Sequence, residues 1–123
     1  MNNLKNLIEG LRKSREKCPW SKEQEIKEHI IELEREIQEA KEAVGKNDFV
    51  NLKEELGDVL MDLIFISIIA EEQKLFSFDG MIESADTKLR RRKPWVFGNE
   101  TIATKKEAIK RWDEIKAKEK GGK

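Results

Sequence analysis

Apolar residues recur along this chain at the three- and four-residue spacing of amphipathic helices. The first predicted helix ends before Pro19 and carries on one face Leu4, Leu7, Ile8 and Leu11. Ser21 and Gln24 have the pattern of a capping box, which predicts a second helix that starts there and continues to about Gly45. Its narrow apolar seam, typical of a helix bundle, consists of Ile26, Ile30, Leu33, Ile37, Ala40 and Val44.

A third predicted helix is the most apolar part of the chain. Asp48 is a candidate N-cap, and the helix should reach about Leu75. It repeats the seam pattern with Leu52, Leu56, Val59, Leu63, Ile66 and Ala70. Further apolar residues between positions 60 and 69 widen this seam until the helix is apolar nearly all round, so we expect it at the centre of the fold.

Two more helices are predicted in the last third of the chain. One begins near Asp79 and ends in a basic run before Pro94, which cannot continue a helix. Residues 95–98 are predicted as a loop. Thr104 and Glu107 have the pattern of a second capping box, so a last helix should follow them.

Composition agrees with an all-α fold. Hydrophobic residues make up 37% of the chain and charged residues 41%, with only 7 Gly and 2 Pro among 123 residues. This balance favours long helices with heavily charged outer faces, and the length suits one domain with its own core. We therefore predict an all-α bundle of four to five helices that forms a single domain over residues 1–123.

Charge and cysteine content indicate which binding partners and which cellular compartment to expect. The 25 basic and 25 acidic residues cancel, so no overall field draws the chain towards nucleic acid or anionic lipid. The single cysteine, Cys18, excludes an internal disulfide and fits a reducing compartment. The longest apolar stretch, residues 59–70, is too short for a membrane span and is interrupted by Asp62. We expect a cytoplasmic protein that binds neither membranes nor nucleic acids stably.

Candidate chemistry lies in the carboxylates of the second and third predicted helices. Glu36 and Glu39 are three residues apart. Glu55 and Asp58 are also three apart, and Asp62 follows four residues later. These offsets place each set on one helix face, where like charges repel and partial burial removes hydration. A divalent cation would offset both costs, and oxygen-only ligands suit Mg²⁺, with Mn²⁺ as a substitute.

The same carboxylates also have a less specific interpretation. In a helix rich in glutamate, a Glu-x-x-Glu pair is usually part of a solvated face. Asp58 and Asp62 argue for a site, because isolated carboxylates in an apolar helix would be destabilising. His29, the single histidine, shares its helix face with Glu25 and Glu32 and is interpreted as a surface residue.

Five short motifs occur in an order that is specific, although each alone is weak. They are Cys18-Pro19-Trp20-Ser21-Lys22-Glu23-Gln24, Glu36-x-x-Glu39, Glu54-Glu55-Leu56-Gly57-Asp58, Lys88 followed by Arg91-Arg92-x-Pro94-x-Val96-Phe97-Gly98, and Trp112-x-x-Ile115-Lys116. A gap of 15 residues separates Glu39 from Glu55. Over nearly its whole length the chain resembles the MazG-type nucleoside triphosphate pyrophosphohydrolases.

This resemblance implies an all-α enzyme, dimeric or of higher order, that uses Mg²⁺. It would hydrolyse nucleoside triphosphates to the monophosphate and pyrophosphate, and so clean or control the nucleotide pool. Carried over to this sequence, the resemblance names as catalytic and metal-binding residues Glu36, Glu39, Glu55 and Asp58. Asp62 lies outside the usual motif and is an additional candidate ligand.

The resemblance also suggests contacts to the substrate. Lys88, Arg91 and Arg92 would steady the leaving pyrophosphate, since arginine matches phosphate oxygens in a bidentate manner. Trp20 is a candidate stacking surface for the base, and Lys116 is a further candidate contact. Alternatively, the basic run complements the dipole of its helix and the tryptophan is a packing anchor.

Several positions depart from the family pattern, and other classes of protein remain to be weighed. Ser21 replaces a usual acidic residue, and Lys93 and Trp95 replace histidines, which leaves the preferred nucleotide open. A di-iron or di-manganese bundle is excluded, because it needs Glu-x-x-His on two helices and the chain has 1 His. The alternative is a non-catalytic interaction or RNA-binding module that uses residues 90–93, although net neutrality weighs against it.

Overall fold

A computed structural model of the chain describes residues 2–121, and all regular structure in that range is helical. The helices are α1 (Asn3–Lys17), α2 (Pro19–Lys22), α3 (Ile26–Gly45), α4 (Phe49–Glu72), α5 (Phe78–Arg92), α6 (Pro94–Phe97) and α7 (Lys105–Gly121). The all-α prediction is confirmed. The described range has seven helices rather than four to five, because α2 and α6 add two single turns where a connector and a loop were predicted.

The helices form two compact units, the first ending at Phe78 and the second beginning at Asp79. The first unit contains α1 to α4, and the second contains α6, α7 and nearly all of α5. The single domain over residues 1–123 stays a prediction. Within residues 2–121, no helix has the length and apolar character needed to cross a membrane.

Ion pairs hold α1 against the end of α4 in the first unit. Arg15 donates from Nε and Nη2 to the two carboxylate oxygens of Glu72 at 2.9 and 2.8 Å. Arg12 donates to both oxygens of Glu71 at 3.3 Å. Arg15 also donates to the backbone carbonyl of Gln24 at 3.0 Å, so one guanidinium ties α1, α4 and the segment before α3 together.

The start of α3 differs from the prediction. Its capping box pairs Glu25 with Glu28, whose Oε1 accepts a hydrogen bond from the Glu25 backbone N–H at 2.6 Å. Ser21 is buried instead, and its hydroxyl hydrogen-bonds to that of Ser14 at 2.9 Å. The capping box predicted from Ser21 and Gln24 is therefore wrong, because Ser21 lies within the turn of α2 and α3 begins only at Ile26.

Two other predicted helix starts are confirmed. Asp48 caps α4 by accepting a hydrogen bond from the backbone N–H of Asn51 at 3.1 Å. Asn47, in the turn before it, has a φ of 54°, a left-handed conformation that asparagine tolerates. Thr104 and Glu107 exchange the two hydrogen bonds of a capping box at 3.1 and 3.2 Å before α7.

The core of the first unit lies in the second half of α4. Every residue from Ile64 to Ala70 is buried, and α3 contributes Ala40 and Ala43. Because α4 also packs against α1, it is the central helix of this unit, as its apolar sequence predicts. The α3–α4 hairpin is the main contact between elements of the first unit and positions the candidate site.

The orientation of α3 differs from the predicted seam. Ile37, in the middle of that seam, is 47% exposed, and Leu56 on α4 is 51% exposed. The buried side of α3 carries Ala40 of that seam together with His29 and Ala43, which lie outside it. We give the name exposed seam to six of the large apolar residues left at the surface of the hairpin, which are Ile30, Ile37, Val44, Leu56, Leu60 and Leu63. The seam prediction is wrong within a single chain for all of these residues except Leu60, which was not part of it. Small alanines and polar groups, not the large aliphatic residues, line the buried side of α3.

In the second unit, one carboxylate joins α5 to α7. Glu119 accepts hydrogen bonds from Arg91 Nε at 2.6 Å and from Arg92 Nη2 at 2.9 Å. The Arg92 guanidinium also lies over the Trp112 ring, 5.4 Å from its centroid. The end of α5 and the end of α7 are thus held together by charge and by a cation–π contact.

Candidate functional site

The α3–α4 hairpin brings the five predicted carboxylates together. Glu36 interacts with Asp62 and Asp58 of α4. Glu55 interacts with Glu39 of α3 and also with Asp58. Asp58 therefore links two carboxyl pairs into one cluster.

The first pair is Glu36 and Asp62. Burial, followed by the hydrogen bond to Asp62 and then the negative charges of Asp62, Asp58 and Glu32, raises the pKa of Glu36 to about 8. Glu36 Oε1 and Asp62 Oδ2 are both buried and have no hydrogen-bond donor. Two ionised carboxylates can only accept, so this pair is hydrogen-bonded only when one member carries a proton. Without a proton or a cation, the pair is repulsive.

The second pair is Glu55 and Glu39, nearer the turn of the hairpin. The hydrogen bond to Glu39 is the largest cause that raises the pKa of Glu55, to about 7, followed by burial and neighbouring negative charges. Glu55 is 9% exposed, and its Oε2 has no hydrogen-bond donor. A cleft of about 130 Å³ adjoins this pair and is lined by Glu39, Glu42, Ala43, Lys46, Asp48, Asn51 and Glu55.

The chemistry of this cluster fits a hard divalent cation. All its donors are carboxylate oxygens, and one oxygen each of Glu36, Glu55 and Asp62 is buried without a partner. In the arrangement described, the carboxyls face one another in pairs. Over residues 2–121, no three acidic, histidine or cysteine side chains are placed so that they could hold one metal ion. Cation binding by this cluster would therefore require some of its side chains to turn.

His29 is the residue of this region that the sequence interpretation missed. It is 8% exposed rather than on the surface, and its ring packs 4.6 Å from that of Phe65, centroid to centroid. Its Nδ1 lies 2.9 Å from Asp62 Oδ1, and its Nε2 lies 3.2 Å from Gln24 Oε1. The available signal was its spacing from Glu36, since 36 − 29 = 7 residues brings both side chains to the same side of a helix.

The predicted substrate contacts lie in different parts of the chain. Trp20, in the first unit, is 76% exposed on α2. Lys88 on α5 and Lys116 on α7 are exposed residues of the second unit. Arg91 and Arg92, also in the second unit, both bind Glu119, and their hydrogen bonds lower the pKa of that carboxyl to about 2.

Comparison with known proteins identifies the family of this chain. Residues 23–97 match the MazG nucleotide pyrophosphohydrolase domain. The nucleoside triphosphate pyrophosphohydrolase of Escherichia coli (strain K12) is 32% identical over 123 residues, which cover 100% of this chain and 47% of the relative. The nucleoside triphosphate pyrophosphohydrolase/pyrophosphatase MazG of Thermotoga maritima is 38% identical over 123 residues, covering 98% of this chain and 45% of the relative. The chain thus spans about half the length of these curated relatives.

A solved structure has a fold similar to that of this chain. The crystal structure of a MazG-related protein from Thermotoga maritima superposes with a TM-score of 0.80 and 37% sequence identity, covering 92% of this chain and 98% of that one. The family match over residues 23–97 includes all five carboxylates of the cluster, while Trp20 and Lys116 lie outside it. The chain belongs to the family of MazG nucleotide pyrophosphohydrolase domains.

Proposed function

We propose that this chain is a nucleoside triphosphate pyrophosphohydrolase that requires Mg²⁺. The observation that carries the proposal is the carboxylate cluster, in which one buried oxygen each of Glu36, Glu55 and Asp62 lacks a donor. The pKa values of Glu36 and Glu55 in this cluster are raised. Such a cluster is poorly stable by itself and needs a positive partner. The names of the relatives from Escherichia coli and Thermotoga maritima support the same activity. Its role would be to clean or control the nucleotide pool, in the cytoplasm.

The residues that would hold the cation are Glu36, Glu39, Glu55 and Asp58. When bound, Mg²⁺, or Mn²⁺ in its place, would supply positive charge next to the triphosphate and its developing negative charge. The protein's own part is to keep four carboxylates on two packed helices at one end of a buried core. We assign Glu39 as the general base, because its position on the helical wheel is the furthest from the apolar seam.

Further residues would contact the substrate. Trp20, with its ring exposed, would stack on the base. Lys88, Arg91, Arg92 and Lys116 would contact the phosphates. The carboxylate of Glu119 already occupies Arg91 and Arg92 with the kind of charge-assisted hydrogen bonds that a phosphate would make.

The exposed seam supports assembly into a homodimer. Six large aliphatic residues on one hairpin are more apolar surface than isolated surface residues explain, and a second copy would cover them with an identical seam. Because that seam lies on the same two helices as the carboxylates, dimerisation would also stiffen the hairpin that carries the site.

Product analysis tests the proposed activity directly. The purified chain is incubated with a panel of standard and modified nucleoside triphosphates and Mg²⁺, and pyrophosphate and orthophosphate are measured separately. We expect pyrophosphate and the monophosphate, and no orthophosphate. Orthophosphate with a diphosphate would place the attack at the wrong phosphorus for this proposal, and no turnover on any nucleotide would favour a non-catalytic module.

A further inference from the structure

His29 connects the carboxylate cluster to the segment that precedes α3. Its Nδ1 lies 2.9 Å from Asp62 Oδ1, and its Nε2 lies 3.2 Å from the side-chain oxygen of Gln24. Arg15 in turn donates to the backbone carbonyl of Gln24 at 3.0 Å. The imidazole is therefore held from both sides, and its ring plane is fixed further by contact with Phe65. A ring held in this way fixes the direction of the carboxylate that it binds.

Asp62 presents its second oxygen in a defined direction. With Oδ1 bound to His29, Oδ2 is left buried and without a donor, next to the equally unpartnered Oε1 of Glu36. Asp62 as a residue is only 9% exposed, so water does not compensate readily for the missing donor.

A histidine–aspartate pair with only a structural role would show a different hydrogen-bonding pattern. A histidine and an aspartate that only stabilise the core would normally leave no carboxylate oxygen unpaired, since an orphaned buried acceptor costs about 1–3 kcal/mol. Here the histidine satisfies one oxygen, and the other faces Glu36, a second carboxyl that can donate only while it carries a proton. Histidine and carboxylate pairs of this kind are common around metal ions, where a residue behind the ligand orients it and raises its affinity for the metal.

We propose that His29, fixed by Gln24, is a positioning residue for Asp62, and that Asp62 Oδ2 joins Glu36 as a ligand oxygen for the divalent cation. Asp62 is then a fifth carboxylate of the site, although it lies outside the usual family motif. This inference rests on the proposed function, because it concerns the same cation.

The test measures cation binding without substrate. Mg²⁺ and Mn²⁺ affinities are obtained by calorimetry and from the cation-dependent rise in melting temperature, for the parent chain and for His29→Leu, His29→Asn and Asp62→Asn. We expect His29→Leu to weaken the affinity about ten- to a hundredfold. His29→Asn, whose amide can donate from nearly the position of Nδ1, should recover most of that loss. The double variant His29→Leu/Asp62→Asn should bind no more weakly than Asp62→Asn alone, because the two residues act through one oxygen.

Gln24→Ala and Glu34→Gln complete the series. Gln24→Ala leaves the buried core untouched. It should weaken cation affinity, but by a smaller factor than His29→Leu. This variant keeps a test available if His29→Leu does not fold. Glu34→Gln, an exposed change on α3, should bind like the parent. Parental affinity in His29→Leu, or in Gln24→Ala where His29→Leu is unfolded, would overturn the inference. Failure of the parent itself to bind the cation would instead remove the proposed function.

Discussion

Glu55 of α4 lies in hydrogen-bonding contact with Glu39 of α3, and this contact is the main reason that its pKa rises to about 7. Near neutral pH the pair thus holds a proton that an isolated glutamate would already have released. Glu36 and Asp62 repeat the relationship further along the same hairpin. Because two such pairs lie on packed helices, the stability of the hairpin should depend on any proton or cation that supplies positive charge to these carboxylates.

Replacement of Asp58 by asparagine distinguishes a metal ligand from a structural carboxylate. Removal of one charge from the centre of the cluster should leave the metal-free protein as stable as the parent or more stable. Hydrolysis and the Mg²⁺-dependent rise in melting temperature should fall together, by at least about tenfold in rate. A carboxylate satisfied only by hydrogen bonds would instead cost about 1 kcal/mol of stability and leave turnover intact.

Thermal melts with and without Mg²⁺, measured beside turnover, give both quantities for Asp58→Asn. Glu34→Gln is the matched control, because it removes one negative charge from the exposed face of α3. It should change neither quantity. Near-parental hydrolysis in Asp58→Asn would remove the basis for the whole site.

The raised pKa values of Glu36 and Glu55 predict how stability depends on pH in the metal-free protein. Their native values are about 8 and about 7, above the value of 4.5 expected when unfolded. Between these limits the native state binds more protons than the unfolded chain, so the free energy of unfolding should fall as pH rises from about 4.5 to about 8. Denaturant melts with a chelator across this range should reveal the decline.

Glu36→Gln isolates the contribution of the first pair. The amide does not titrate and can donate to Asp62, so the decline between pH 4.5 and about 8 should become shallower. Glu34→Gln should leave the slope of the parent unchanged. A parent whose stability rises over the same range would contradict the assignment of raised pKa values to this cluster.

Glu119 should compete with the substrate for Arg91 and Arg92. Its carboxylate binds both guanidiniums, so Glu119→Gln should free them for phosphate and lower the KM for nucleoside triphosphates, with kcat little changed. Glu114→Gln on the same helix is the control, since Glu114 pairs with Arg111 at 3.6 Å instead. An unchanged KM would mean that the two arginines do not contact phosphate, and a raised KM would mean that Glu119 serves to position them.

The exposed seam should be buried in a dimer interface in solution. Light scattering at micromolar concentration should give twice the mass of the 14.4 kDa chain. Ile37→Asp places a charge in the middle of the seam and should shift the equilibrium to the monomer. Ile31→Asp is the control, because Ile31 is 56% exposed on the same helix but lies outside the seam. A monomeric parent would contradict the proposed assembly.

Local sequence determined most of the helices and which carboxylates share a helix face. The spacing of apolar residues identified the five long helices, and the caps at Asp48 and Thr104 formed as predicted. Glu36 could be paired with Glu39, and Glu55 with Asp58, from their spacing alone, because residues three apart share a helix face whatever surrounds it. These features depend on contacts within one or two helical turns, and a single sequence contains that information.

Only the tertiary structure decided which stripe of α3 is buried. Apolar periodicity defines the stripe of Ile30 and Ile37, but an adjacent stripe with His29 and Ala43 lies within one residue of it around the helix. The choice between them depends on which one lets α4 approach and which one pairs with Asp62, and both are long-range contacts. For the same reason the pairing of His29 with Asp62 and the pairing of Glu119 with the arginines could not be predicted from local spacing. These contacts join residues that are distant in sequence, so they depend on how the helices pack and not on the local sequence pattern.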